Sequence, residues 1–139
     1  HPKPNLIDYH LNHVVDIDVF KEVLEFDKHD DGYSQRLVHD FLTVAWATFT
    51  KMDTSLTQKD RKQLYADVDY LEGPCKVLGA KQMQNSCTKI KEITVDGDIL
   101  SVNIEPESVL YSALRDAIEQ GKERLQSLER AVCDFYAKQ

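Results

Sequence analysis

The chain has 139 residues, of which 42% are hydrophobic, and this is enough to bury one core in a single domain spanning 1–139. Five glycines and four prolines are few, which favours long helices over many short strands. A formal net charge of -7 argues against a nucleic-acid partner, because phosphate binding needs a basic face.

The composition also bears on where the protein works. No apolar run approaches the ~20 residues of a membrane span, and no secretory signal is visible. The three cysteines, Cys75, Cys87 and Cys133, occupy helical positions without a C-x-x-C motif, which is typical of reduced core thiols in the cytosol. We therefore expect a monomeric cytoplasmic protein, with the nucleus as a second compartment, that has no membrane partner.

The spacing of apolar residues predicts the elements of the first part of the chain. Residues 1–15 are expected to form a loose N-terminal lead-in. A short helix from Asp16 to about Phe26 follows, with Asp16 or Asp18 as its cap. Its apolar positions recur at three- and four-residue spacing: Val19, Phe20, Val23 and Leu24.

Two longer helices are predicted next. Ser34 can cap the second helix, which runs to about Met52, and residues 53–57 are interpreted as a connector. The third helix is predicted from about Gln58 to Leu78, and Gly79 can end it. Its apolar residues step by four and three positions, as in the seam of a bundle: Leu64, Val68, Leu71, Cys75 and Leu78.

The last part of the chain completes the fold prediction. A fourth helix is predicted from Lys81 to about Ile93, and Pro106 can open a long fifth one at its first turn. Between them, residues 94–105 contain Asp96-Gly97 beside β-branched residues, which indicates either a hairpin or a loose connector. The sum is an all-α fold: an antiparallel four-helix bundle with an additional short N-terminal helix.

One face of the third helix is predicted to point outward. Asp69, Glu72, Gly73 and Lys76 are spaced by three and four residues, so they share a stripe away from the apolar seam. A glycine inside a helix lowers its stability by about 1 kcal/mol relative to alanine. One functional reason for a glycine here is that it leaves space for the backbone of a partner to approach. Alternatively, Gly73-Pro74 ends one helix and starts another. We favour one kinked helix, because the apolar seam continues in register.

The segment 69–80 resembles the signature of histidine-containing phosphotransfer (HPt) domains, which reads His-x-Leu-Lys-Gly-Ser-Ser-x-x-x-Gly-Ala/Leu. The matching residues are Leu71, Gly73, Gly79 and Ala80. Asp69 stands at the position of the phosphorylated histidine and Glu72 at that of the lysine, while Pro74 and Cys75 replace two serines. The resemblance extends over about 16–137 and is closest to fungal phosphorelay intermediates, through the acidic loop 26–34, Asn85-Ser86-Cys87 and Phe135-Tyr136.

The resemblance implies a partner and a docking surface. The partner is the receiver domain of a response regulator or hybrid histidine kinase, and no cofactor is implied. The surface lies around the motif and on the first helix, and its matching positions are Val19, Val23, Asp69, Leu71, Glu72, Gly73 and Lys76. A receiver's phosphorylation pocket is itself acidic and holds Mg²⁺. The charges of Asp69 and Glu72 therefore predict a complex that is weaker without Mg²⁺.

The departures from the signature change the chemistry that the resemblance implies. Phosphotransfer needs an imidazole nitrogen as nucleophile, and Asp69 has none. An aspartyl phosphate would need several acidic residues that hold Mg²⁺ and a nearby lysine. Glu72 reverses the charge of the family's lysine. We therefore predict a non-catalytic pseudo-HPt protein that regulates a phosphorelay as a decoy or adaptor. Asp69 either mimics the charge of phosphohistidine or marks a site lost by drift.

The sequence also allows two other functions and contains part of one metal-binding motif. The chain could carry phosphate on another histidine or serve as a helical adaptor outside two-component signalling; the histidines available are His1, His10, His13, His29 and His39. The start of a calcium loop is imitated by Asp27, Asp31 and Gly32. However, Val38 occupies the place of the bidentate glutamate that such a loop requires. We therefore predict no metal site.

Overall fold

The computed structural model describes residues 11–102 and 107–139, and for residues 97–102 the backbone alone. These residues form five α-helices and no strand, together with a 3-10 turn at Phe26–Lys28. The helices are α1 (Ile17–Glu25), α2 (Tyr33–Thr57), α3 (Arg61–Leu78), α4 (Lys81–Val102) and α5 (Glu107–Ala137). Short links make consecutive helices antiparallel. Helices α2 to α5 close into a four-helix bundle, and α1 packs on α2 and α3, which confirms the predicted fold class.

One contiguous core runs through the bundle. All five residues of the predicted α3 seam are buried, as are nine residues of α5 between Leu110 and Phe135. Full burial of such a side chain contributes about 1.5–3 kcal/mol each, so the spacing of apolar residues decides which face of each helix turns inward. No helix in the described part of the chain is long and apolar enough to cross a bilayer.

The N-terminal helix begins where its cap was predicted. The Asp16 carboxylate accepts hydrogen bonds from the backbone amides of Asp18 and Val19. The preceding residues differ from the prediction of a loose lead-in, because Leu11, Val14 and Val15 are buried in the core. The prediction is therefore wrong for residues 11–15, and residues 1–10 lie outside the described part of the chain.

The start of α2 is held by a loop residue instead of a cap at Ser34. Gly32 occupies the N-cap position with a left-handed φ of 80°. The buried Ser34 hydroxyl donates to Asp27 Oδ2 over 2.6 Å and accepts a 2.7 Å hydrogen bond from the Tyr136 hydroxyl. Burial raises the pKa of Tyr136 to about 12. The predicted cap at Ser34 is therefore wrong: this residue joins the loop to α5.

The predicted connector at 53–57 is also wrong, because α2 continues to Thr57. Ser55 and Leu56 are both buried, three and four residues after the buried Met52. The Ser55 hydroxyl donates to Asp67 Oδ2 on α3 over 2.9 Å. Packing against α3 thus overrides the turn propensity of a segment rich in Asp, Ser and Thr. Helix α3 then begins at Arg61 with Asp60 as its cap.

Residues 94–102 form neither the hairpin nor the connector that was predicted, because they belong to α4. Thr94 is only 4% exposed, and its hydroxyl donates to the Lys91 carbonyl over 2.7 Å. A two-stranded hairpin is marginal by itself, whereas this segment extends a helix that already packs on α3 and α5. Residues 103–105 and Pro106 lie outside the described part of the chain, and α5 is seen from Glu107.

Two glycines inside helices predict opposite effects on stability. A Cβ at Gly73 would meet nothing within 4 Å, whereas one at Gly121 would lie 2.8–2.9 Å from the buried ring of Phe49. We expect Gly73→Ala to raise the free energy of unfolding by about 1 kcal/mol through helix propensity. Gly121→Ala should lower it by about 1–3 kcal/mol through overpacking. Urea unfolding of the two variants measures both, and a shift of equal sign would contradict this reading of the two sites.

Candidate functional site

Helix α3 carries the candidate site and is continuous through the unusual Gly73-Pro74 pair. It spans 18 residues from Arg61 to Leu78, with Pro74 inside it. Proline removes one helical donor, that for the carbonyl four residues earlier at Tyr70. Tyr70 is 64% exposed, so water can reach this turn. Gly79 ends the helix with a left-handed φ of 79°. The prediction of one helix with Asp69 near its middle is confirmed.

The Asp69 side chain is exposed and takes part in an ion-pair cluster. Its exposed fraction is 59%, and Asp69 Oδ1 lies 2.7 Å from Lys91 Nζ. The same ammonium group lies 3.2 Å from Glu72 Oε1, whose side chain is 21% exposed. Lys91 belongs to α4, so the neighbouring helix supplies a cation that bridges the two carboxylates. We call Asp69, Glu72 and Lys91 the acidic cluster.

Lys91 contacts an aromatic ring in addition to its two ion pairs. Its side chain is only 18% exposed, and Nζ lies 5.1 Å from the centroid of the Tyr65 ring. The hydrogen bond to Asp69 raises the pKa of Lys91 well above its usual value, against the opposing effect of desolvation, and Glu72 adds to the rise. Lys91 is therefore charged at neutral pH, and the acidic cluster has a net charge of -1 instead of -2.

The surface beside the acidic cluster is open and partly apolar. Gly73 and Lys76 are exposed on the same stripe as Asp69, as predicted. A side chain added at Gly73 would point into open space. Tyr70 and Val77 flank this stripe and are 64% and 62% exposed, which is high for large hydrophobic residues. Neither residue was predicted to be part of the docking surface, although their spacing of three and four residues from Gly73 places them on its side of α3.

Two residues of the predicted docking surface are not on the surface. Leu71 is fully buried in the core of the bundle, and Val23 on α1 is only 6% exposed. Both residues can support the docking surface from the inside but cannot contact a partner directly.

Val19 is half-buried at the C-terminal end of α3. Its Cβ lies 2.9 Å from the position that a Cβ added to Gly79 would occupy. Contacts of the remaining residues with a partner stay a prediction.

The cysteines and the described histidines lie in different surroundings. Cys75 and Cys87 are buried thiols whose mutual hydrogen bond raises the pKa of Cys75, and burial raises it further. Cys133 is exposed, so the expectation that all three thiols lie in the core is wrong for it. His29 and His39 are exposed. Within the described residues, no group of three His, Cys, Asp or Glu side chains could hold a metal ion.

No protein-family model matches the chain. It is 31% identical over 78 residues to the phosphorelay intermediate protein YPD1 of Candida albicans, a match covering 56% of this chain and 42% of that protein. In this match, the chain therefore spans less than half the length of the relative.

Solved structures extend the likeness over most of the chain. The Saccharomyces cerevisiae Ypd1, crystallised with the receiver domain of the response regulator Ssk1, has a TM-score of 0.79 at 18% identity and covers 89% of this chain and 95% of its own. A maize histidine-containing phosphotransfer protein has a TM-score of 0.62 at 15% identity, with 94% of each chain covered. The chain thus has the helical-bundle fold seen in histidine phosphotransfer proteins.

Proposed function

We propose that this protein is a histidine phosphotransfer relative that binds receiver domains without carrying phosphate, and so acts as a decoy or adaptor in a multistep phosphorelay. One observation carries the proposal: an exposed carboxylate, Asp69, stands in mid-helix where the resemblance places the phosphorylated histidine. The fold of this chain is that of histidine phosphotransfer proteins, and the similarity to YPD1 supports a place in the same family.

The chemistry of the acidic cluster supports the absence of phosphotransfer. Asp69 has no nitrogen nucleophile, and one of its oxygens is engaged by Lys91 at 2.7 Å. An aspartyl phosphate would also bring a dianionic group close to Glu72, which shares the same lysine. Of the two requirements for an aspartyl phosphate, Lys91 supplies the lysine beside Asp69. The described residues contain no group of three His, Cys, Asp or Glu side chains that could hold the metal ion.

The shape of the face supports docking of a folded partner. Gly73 leaves the centre of the face open, and exposed Tyr70 and Val77 supply apolar area beside the charged groups. An apolar centre with a polar rim is the usual anatomy of a protein interface. The yeast protein of the same fold was crystallised with a receiver domain, and we infer the same class of partner for this chain.

The proposal predicts that a phosphorylated receiver transfers no phosphoryl group to this chain. Because Asp69 offers no imidazole, intact-mass measurement after mixing should show no added phosphoryl group, and a radiolabel should stay on the receiver. A histidine-bearing phosphotransfer protein run in parallel serves as the positive control. Stoichiometric label that survives base but not acid would indicate a phosphohistidine elsewhere in the chain and would overturn the proposal.

A further inference from the structure

The charge of the docking face depends on a residue outside the motif, Lys91. We propose that Lys91 is a built-in counter-ion that lets the Asp69 face dock on an acidic receiver pocket even when the pocket holds no divalent cation. This inference rests on the proposed function, because it concerns how the same face recognises its partner. Helix α4 would then contribute to the specificity of docking, although the motif lies on α3.

The geometry makes Lys91 a fixed part of the face. Its Nζ is held by Asp69 Oδ1 and Glu72 Oε1, at 2.7 and 3.2 Å. The Tyr65 ring lies 5.1 Å away on another side, and only 18% of the lysine side chain is exposed. A lysine on a free surface loses much rotamer entropy when it pairs with a partner. Lys91 has already lost that freedom in the folded protein, so its charge is available at a set position.

The positive charge of Lys91 reduces the repulsion between the docking face and an acidic pocket. Two unpaired carboxylates facing an acidic pocket would weaken binding and slow association, because like charges across an interface disfavour docking. Lys91 halves the net charge of the acidic cluster at the point of contact. It thereby fills the role that a divalent cation in the pocket would otherwise have. The sequence predicted that the complex is weaker without Mg²⁺. Because Lys91 offsets part of the acidic charge, we infer that this loss of affinity is small.

Lys89 provides a matched control for this effect. It is an exposed lysine on α4 two residues before Lys91, and no hydrogen bond or ion pair joins it to the acidic cluster in the described part of the chain. Replacing either lysine by methionine changes the net charge of the protein equally. Only Lys91→Met removes a charge in direct contact with Asp69. The Debye length at physiological salt is about 8 Å, so the two variants separate local from overall charge.

The test measures the Kd for a receiver domain with Mg²⁺ and after its removal with EDTA. For the unaltered chain we expect removal of Mg²⁺ to weaken binding by less than about threefold, and for Lys91→Met by about thirtyfold. Lys89→Met should behave as the unaltered chain, and Lys91→Arg should retain most of the metal independence. Lys91→Gln, checked by circular dichroism, replaces Lys91→Met if the latter does not fold.

The outcomes distinguish this inference from the proposed function. If Lys91→Met depends on Mg²⁺ no more than Lys89→Met does, while a bulky residue at Gly73 abolishes binding, the counter-ion role is wrong and receiver docking stands. If the unaltered chain binds no receiver domain under either condition, the proposed function fails and the inference fails with it. A thirtyfold change shared by both lysine variants would assign the effect to overall charge and would also overturn the inference.

Discussion

Replacing Gly73 by tryptophan is expected to weaken receiver binding by at least about a hundredfold, because a bulky group at the centre of an interface blocks close approach. A Cβ at this position meets nothing within 4 Å and Gly73 is exposed, so a side chain placed here projects from the surface of α3. Tryptophan also has a better helix propensity than glycine. The fold should therefore be retained while the face is covered.

A control for this variant is available on the far side of the bundle. Gln126 is exposed on α5, which lies diagonally across from α3. Gln126→Trp adds the same side chain without covering the acidic cluster and should leave the Kd within about twofold. Calorimetric titration of each variant with a receiver domain, after a thermal melt to check folding, makes the comparison. Equal affinities for the two variants would mean that partners dock elsewhere.

The second large effect is expected from restoring the signature residues. Asp69→His combined with Glu72→Lys replaces both carboxylates of the acidic cluster by an imidazole and an ammonium group, and Lys91 on α4 is a second cation close to them. We expect binding to a metal-free receiver to strengthen by about a hundredfold through charge complementarity. We also expect the variant to accept a phosphoryl group from the aspartyl phosphate of a phosphorylated receiver, because a nucleophilic nitrogen now stands beside two cations. The N–P bond forms as the O–P bond breaks and the receiver's carboxylate leaves, and the product is stable to base and lost in acid.

A matched variant separates the two parts of that result. Asp69→Asn with Glu72→Lys has the same added lysine and no imidazole, so it should bind the receiver more tightly but remain unlabelled. Intact-mass measurement and titration on both double variants give the readouts. If the histidine variant binds but takes no phosphoryl group, Asp69 does not occupy the phosphoacceptor position. If neither double variant gains affinity, the face around Asp69 is not the docking surface.

The sequence predicted α3 and its exposed stripe because both follow from spacing along one helix. The seam from Leu64 to Leu78 sets the buried side, and Asp69, Gly73 and Lys76 are exposed opposite it. Leu71 shows the limit of a resemblance: it matches the signature, yet its place in the seam already predicted burial. A motif match selects positions, whereas the helical period decides which of them a partner can reach.

Lys91 was missed because it lies outside the motif and comes from another helix. A signal was nevertheless present: α3 and α4 are antiparallel and joined only by Gly79 and Ala80, so residues at nearly equal distances from this link face each other. Asp69 and Lys91 form such a pair. The continuation of α2 through Ser55 and of α4 through Thr94 could not be read from local propensity, because each depends on packing against α3 or α5.

The hydrogen-bond chain at Ser34 couples regions that would otherwise move separately. Tyr136, in the last turn of α5, donates to Ser34 over a separation of 102 residues, and Ser34 in turn donates to Asp27 beside α1. Terminal turns usually fray at little cost in free energy. Here, fraying of α5 would leave the buried Ser34 hydroxyl without one of its partners. The C-terminal turn, the loop at Asp27 and the first turn of α2 should therefore open as one cooperative unit in amide hydrogen exchange.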